Sequence, residues 1–119
     1  MAQVLKSASY ATGGFGKWGL GDIGTPGVPW KHGFDQFFGY LHQIHAHFYY
    51  PPYLWDNDKK FPLAGNDSGK RTTCSHDVIA SKALDFIRSH SSQQLIFCYV
   101  PFTIPHMEYL VPQDSIDEY

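Results

Sequence analysis

The sequence predicts an α/β fold on two observations. One is a helix over residues 76–90, with Ile79, Ala83, Phe86 and Ile87 along one face. The other is the continuous apolar run over residues 95–100 that follows it, the pattern of a strand covered on both faces. A helix that leads into a buried strand is the repeating element of sheets with flanking helices. A chain of 119 residues, 43% hydrophobic and 17% charged, has apolar material for one core but too much surface to divide it. A single compact unit, or part of one, is expected.

The elements follow in order. Val4, Leu5 and Ala8 have the spacing of one face of a short helix over residues 1–9. No Ser, Thr, Asp or Asn caps that helix, so it reads as the tail of a longer element and the N-terminus looks cut. Residues 10–18 read as a short strand running into a glycine-rich turn, with Gly13, Gly14, Gly16, Gly19, Gly21 and Gly24 allowing tight backbone. Pro26 and Pro29 predict extended chain over residues 25–32. In the aromatic stretch over residues 34–55, a strand is expected at 37–40 and then a structured loop through His42, His45 and His47. A hairpin follows, pairing residues 53–56 with 60–63 around Asn57-Asp58. Residues 64–70 form a polar loop, and Ser75 and Asp77 mark the start of the main helix as N-cap and first-turn charge. The chain after residue 106 is polar and closes no visible element, so the C-terminus also looks cut.

Nine basic and eleven acidic residues are scattered without a basic block, which argues against nucleic acid and anionic membrane as partners. No apolar run approaches the roughly 20 residues that span a bilayer, and the first residues lack the apolar core of a signal peptide. Cys74 and Cys98 can pair, stay free or bond elsewhere; neither lies in a C-x-x-C pair or at zinc-finger spacing from histidine.

Two residues stand where chemistry is usually placed. Lys17 lies between Gly16 and Trp18 at the end of the first strand, where small neighbours leave an ammonium free to reach an anion; otherwise it is a surface lysine. His106 follows the apolar strand, beyond whose carboxyl end ligands bind in α/β sheets, and can donate to an oxyanion or protonate a leaving oxygen; otherwise it bonds a nearby loop. Three imidazoles at positions 42, 45 and 47 invite a metal reading, but no regular element aims them together, so they read as packing and solvent-facing groups. The aromatic stretch can stack on sugar rings, although core filling is its simpler use. Asp77 and Asp85 read as helix charges, and no carboxylates are paired for catalysis.

These features occur as an ordered series: YATGGFGKWGLG from Tyr10, HGFDQFFGYLHQIHAHFYYPPYLWDND from His32, LAGN from Leu63, SHDVIASKALDFI from Ser75 and FCYVPFTIPHMEYLVPQDS from Phe97. Over essentially the whole chain the series resembles a type I, arylsulfatase-like sulfatase. The resemblance implies part of an alkaline-phosphatase-like sandwich, with a mostly parallel sheet flanked by helices. It also implies a sulfuric ester hydrolase acting on a sulfated small molecule or glycan, with a formylglycine made from Cys or Ser and a calcium ion. By resemblance Lys17 matches the lysine that contacts the sulfate and the formylglycine, and His106 matches a histidine that contacts the sulfate ester. A parent that is secreted, periplasmic or lysosomal is implied, while the segment itself carries no address.

The chain departs from that family in two ways. Many members have histidine in the fourth place of the lysine motif, Gly-Lys-Trp-His-Leu-Gly, where this chain has Gly19, a change that hints at subgroup or substrate class. Neither Cys74 nor Cys98 fits C-x-P-x-R, and the acidic calcium ligands have no matching positions, so no metal residue is assigned. The expectation is a sulfatase segment that is inactive alone. The alternatives are a non-catalytic sulfate- or glycan-binding module and a segment of a related phosphoesterase.

Overall fold

A computed structural model of the chain describes residues 1–90, 92, 94–106 and 109–118. Its elements are α1 (Ala2–Ser7), β1 (Ala11–Lys17), β2 (Gln36–Tyr40), β3 (Tyr53–Asp56), β4 (Lys59–Pro62), α2 (Ser75–His90), β5 (Ile96–Tyr99) and α3 (Gln113–Asp117). The strands make one sheet in the order β4-β3-β2-β1-β5. The central trio β2, β1 and β5 is parallel, and the β3–β4 hairpin adds antiparallel to β2. The architecture is therefore the α/β sheet with flanking helices that the helix and apolar strand predict.

Alternation along the strands separates two faces. Ala11 and Phe15 of β1, Phe38 and Tyr40 of β2 and Leu54 of β3 form one core with Ile79, Ala83 and Phe86 of α2. The rings of Phe15 and Phe86 meet with centroids 5.4 Å apart. Gly13 makes room for them, since a Cβ there would lie 2.6 Å from the Phe15 ring and 3.0 Å from that of Phe86. The other face is aromatic. Phe37, Leu41 and Trp55 pack with Trp18, Trp30 and Tyr53, while Phe34 stacks over Phe97 at 6.0 Å.

The carboxyl end of the parallel trio is held by main chain. Gly16 has φ +133°, and a Cβ on it would lie 2.1 Å from the carbonyl oxygen of Pro101. A Cβ on Gly39 would lie 2.0 Å from the carbonyl oxygen of Gly16. Only glycine permits approach this close. Gly13, Gly14 and Gly16 thus belong to β1 itself and not to the turn expected of them.

Other expectations are corrected. Pro29–His32 forms a 3-10 turn instead of extended chain, because Pro29 suits the first helical position, where no N–H is needed. Ser75 is the buried first residue of α2, and its Oγ is 2.6 Å from the Tyr40 hydroxyl, so it ties helix to sheet and caps nothing. Strand β5 is not covered on both faces. It lies at the sheet edge with Leu95 64% and Tyr99 44% exposed, because β1 is its one strand partner among the described residues. The acidic tail closes a short helix after all, with Gln113 donating to Asp117 at 2.9 Å.

Candidate active site

Parallel pairing of β1 with β5 brings their carboxyl ends to the same edge of the sheet. Beyond that edge the Lys17 N–H donates to the Pro101 carbonyl at 2.8 Å, and the Trp18 and Gly19 N–H groups donate to Tyr40 and Leu41 at 2.8 and 3.0 Å. The indole of Trp18 is fixed by a 2.7 Å hydrogen bond to the Gly27 carbonyl and by edge contacts with Phe34 and Phe37. Lys17 is left half-buried and makes no ion pair among the described residues. A half-buried lysine without a carboxylate partner is available to an anion.

His106 stands in the loop after β5. Its N–H donates to the Thr103 carbonyl at 2.9 Å, and its own carbonyl accepts from the Tyr49 hydroxyl at 2.5 Å. Its exposed ring packs on His47, with centroids 4.6 Å apart. Lys17 therefore ends β1 and His106 lies in the loop beyond the neighbouring β5, a loop that Pro101 ties to Lys17. Of the two residues that support His106, the sequence marks His47 only as a packing or solvent-facing imidazole and does not single out Tyr49. They come from a loop 57 residues away in the case of Tyr49, and no periodicity reports such a contact.

The three histidines of that loop diverge. His42 is exposed and its Nδ1 accepts from the Ile44 N–H at 3.1 Å. His45 packs against the rings of Tyr40 and Tyr53, and burial pushes its pKa below the ordinary value. His47 faces His106. Among the described residues no group of three or more His, Cys, Asp or Glu side chains could hold a metal ion, so these residues do not fit the calcium implied by resemblance. Both cysteines are free: Cys74 is buried, and Cys98 lies in β5 against the α2-side core, where burial raises its thiol pKa.

The sulfatase family model matches residues 1–119. An uncharacterized sulfatase of Schizosaccharomyces pombe (strain 972) is 30% identical over 128 residues, covering 100% of this chain and 23% of the relative. Arylsulfatase J of Mus musculus is 27% identical over 125 residues, with 100% of this chain and 21% of the relative covered. The chain thus spans less than a quarter of the length of the curated relatives it matches. Among solved structures, Ps i-CgsB in complex with k-i-k-neocarrahexaose superposes with TM-score 0.80 at 23% identity, over 99% of this chain and 29% of that one. BT4656 in complex with its substrate D-glucosamine-2-N,6-O-disulfate gives TM-score 0.63 at 24% identity, over 92% of this chain and 19% of that one. These likenesses establish the fold, and the match of the family model along the full length shows that the chain belongs to the sulfatase family.

Proposed function

We propose that this chain supplies the sulfate-binding part of a sulfate-ester hydrolase, with Lys17 and His106 as the residues that meet the ester. The observation that carries this reading is the half-buried, unpaired Lys17 ammonium at the same sheet edge as the His106 loop. The ammonium offsets the negative charge of the sulfate oxygens; a pair about 4 Å apart at an effective dielectric near 20 gains about 4 kcal/mol. The His106 imidazole hydrogen-bonds the bridging oxygen and assists the departing alcohol. Neither cysteine lies in C-x-P-x-R and no metal-holding group occurs among the described residues, so in this reading the segment alone binds sulfate weakly and turns nothing over. A sulfated small molecule or glycan is the expected ligand class. The single ammonium also favours a sulfate monoanion over the doubly charged phosphate of a related phosphoesterase.

The test is steady-state hydrolysis of 4-nitrophenyl sulfate and 4-nitrophenyl phosphate by the full-length protein carrying this segment. Lys17→Ala and His106→Ala should each lower kcat/KM for the sulfate by roughly 100-fold or more. Turnover of the phosphate alone would transfer the site to the phosphoesterase reading. If the full-length protein binds sulfated sugars through Lys17 without hydrolysing them, it is a binding module.

A further inference from the structure

Gly19 is half-buried two residues beyond Lys17, with φ +72°. A Cβ built on it would lie 2.7 Å from Nε2 and 3.1 Å from Cδ of Gln43. The carboxamide of Gln43 therefore fills the space that any side chain at position 19 would enter. Backbone pairing puts it there. Gly19 N–H donates to the Leu41 carbonyl at 3.0 Å, so the segments leaving β1 and β2 run side by side past the sheet edge. Two residues after Leu41, Gln43 folds back over Gly19. The amide is exposed and makes no hydrogen bond among the described residues, so both of its donor hydrogens are uncommitted beside Gly19, two residues beyond Lys17.

We infer that Gln43 is a substrate-contacting residue, donating from its side-chain amide to the sulfate group held by Lys17, and that Gly19 is present to admit it. This rests on the reading of Lys17 and His106 given above. The lysine motif that elsewhere carries an imidazole at position 19 here borrows a donor from the next strand's loop. The exchange has a chemical consequence. An amide donates without titrating, so this contact persists across the whole range in which a histidine would gain or lose its proton.

Full-length protein carrying the segment is assayed on 4-nitrophenyl sulfate across pH 4 to 9. Gln43→Ala should lower kcat/KM by roughly 10- to 100-fold, the usual loss of one hydrogen bond to a charged group. The near-isosteric Gln43→Glu should be worse still at pH 7, where a carboxylate repels the sulfate, and should regain activity as the carboxyl protonates near its usual pKa of about 4.3. Gly19→His should be impaired because its side chain displaces Gln43. Gly19→His combined with Gln43→Ala should recover part of the loss and acquire a new pH limb near about 6.5. If Lys17→Ala abolishes turnover while Gln43→Ala and Gln43→Glu stay within twofold of the parent at pH 7, Gln43 is a space filler and this inference alone is wrong. If Lys17→Ala has no effect either, the sulfate-binding reading goes with it.

Discussion

His45 is held between the rings of Tyr40 and Tyr53, and its buried Nε2 finds no partner among the described residues. Burial lowers its pKa from the ordinary 6.5, while a hydrogen bond to the Tyr53 backbone opposes the shift. The unfolded chain therefore binds more protons than the folded one between the lowered value and 6.5. The contribution of His45 to stability is complete above pH 6.5 and shrinks as the pH falls towards the folded value. His45→Phe, which keeps the ring and removes the titration, should lose less melting temperature between pH 7.5 and 5 than the parent. Equal losses in the two proteins would show that His45 contributes nothing to acid sensitivity. Lys17 and His106 stand out in the sequence because the first ends a strand and the second lies in the loop beyond one, positions that local sequence displays. Gln43 does not, since the vacancy at Gly19 is visible in the motif but its occupant comes from 24 residues away in a different loop.

At the scale of elements, β1 and α2 are the most legible. The 3.6-residue period of α2 places Ile79, Ala83, Phe86 and Ile87 along one face; the first three are in the core and Ile87 is half-buried. Phe86→Ala should cost about 3 to 5 kcal/mol in denaturant unfolding, because it empties the contact with Phe15. The glycines of β1 were harder to read, because a run of glycine signals both a turn and a strand whose backbone meets another. Gly16→Ala distinguishes the two roles. The new methyl would meet the Pro101 carbonyl at 2.1 Å on a backbone with φ +133°, and should cost about 3 kcal/mol or more. Gly24→Ala is the comparison, with φ +80° but nothing within 4 Å, and should cost only about 1 kcal/mol. Similar midpoints for the two variants would rule out main-chain packing at Gly16. The coverage of β5 was misread because an apolar run shows that a strand seeks cover, not which part of a chain provides it.

The whole molecule has a clamped end and an open side. At the amino end of the parallel trio, Asp35 accepts from the Thr12 N–H at 3.0 Å and its hydroxyl at 2.8 Å, and pairs with Lys6 of α1. Burial opposes ionisation of Asp35, but these hydrogen bonds prevail and hold its pKa below 3.8. Its stabilising contribution is present above 3.8 and is lost as the pH falls through the folded value, and Asp35→Asn should abolish that part of the acid transition in circular-dichroism titrations. The open side is the edge of β5, where exposed Leu95 and Tyr99 adjoin Phe102, itself 44% exposed. An unpaired edge with such side chains attracts further strands. The isolated chain should therefore associate with rising concentration in sedimentation velocity, and Tyr99→Lys should suppress it; concentration-independent sedimentation of both would contradict this.

The contact of Gly39 with Gly16, and of Gly16 with Pro101, also bears on how such a protein can change over time. Strand spacing beneath the site is set by peptide atoms, whose dimensions do not vary with side-chain choice. The aromatic layers on either face can exchange one ring for another, and the loops above can be rewritten, without altering the distance between the strand ends from which Lys17 and the His106 loop depart. Changes in the loops are in this way mechanically insulated from the strands, and a lineage can rewrite what lies above the sheet edge on a floor set by main chain.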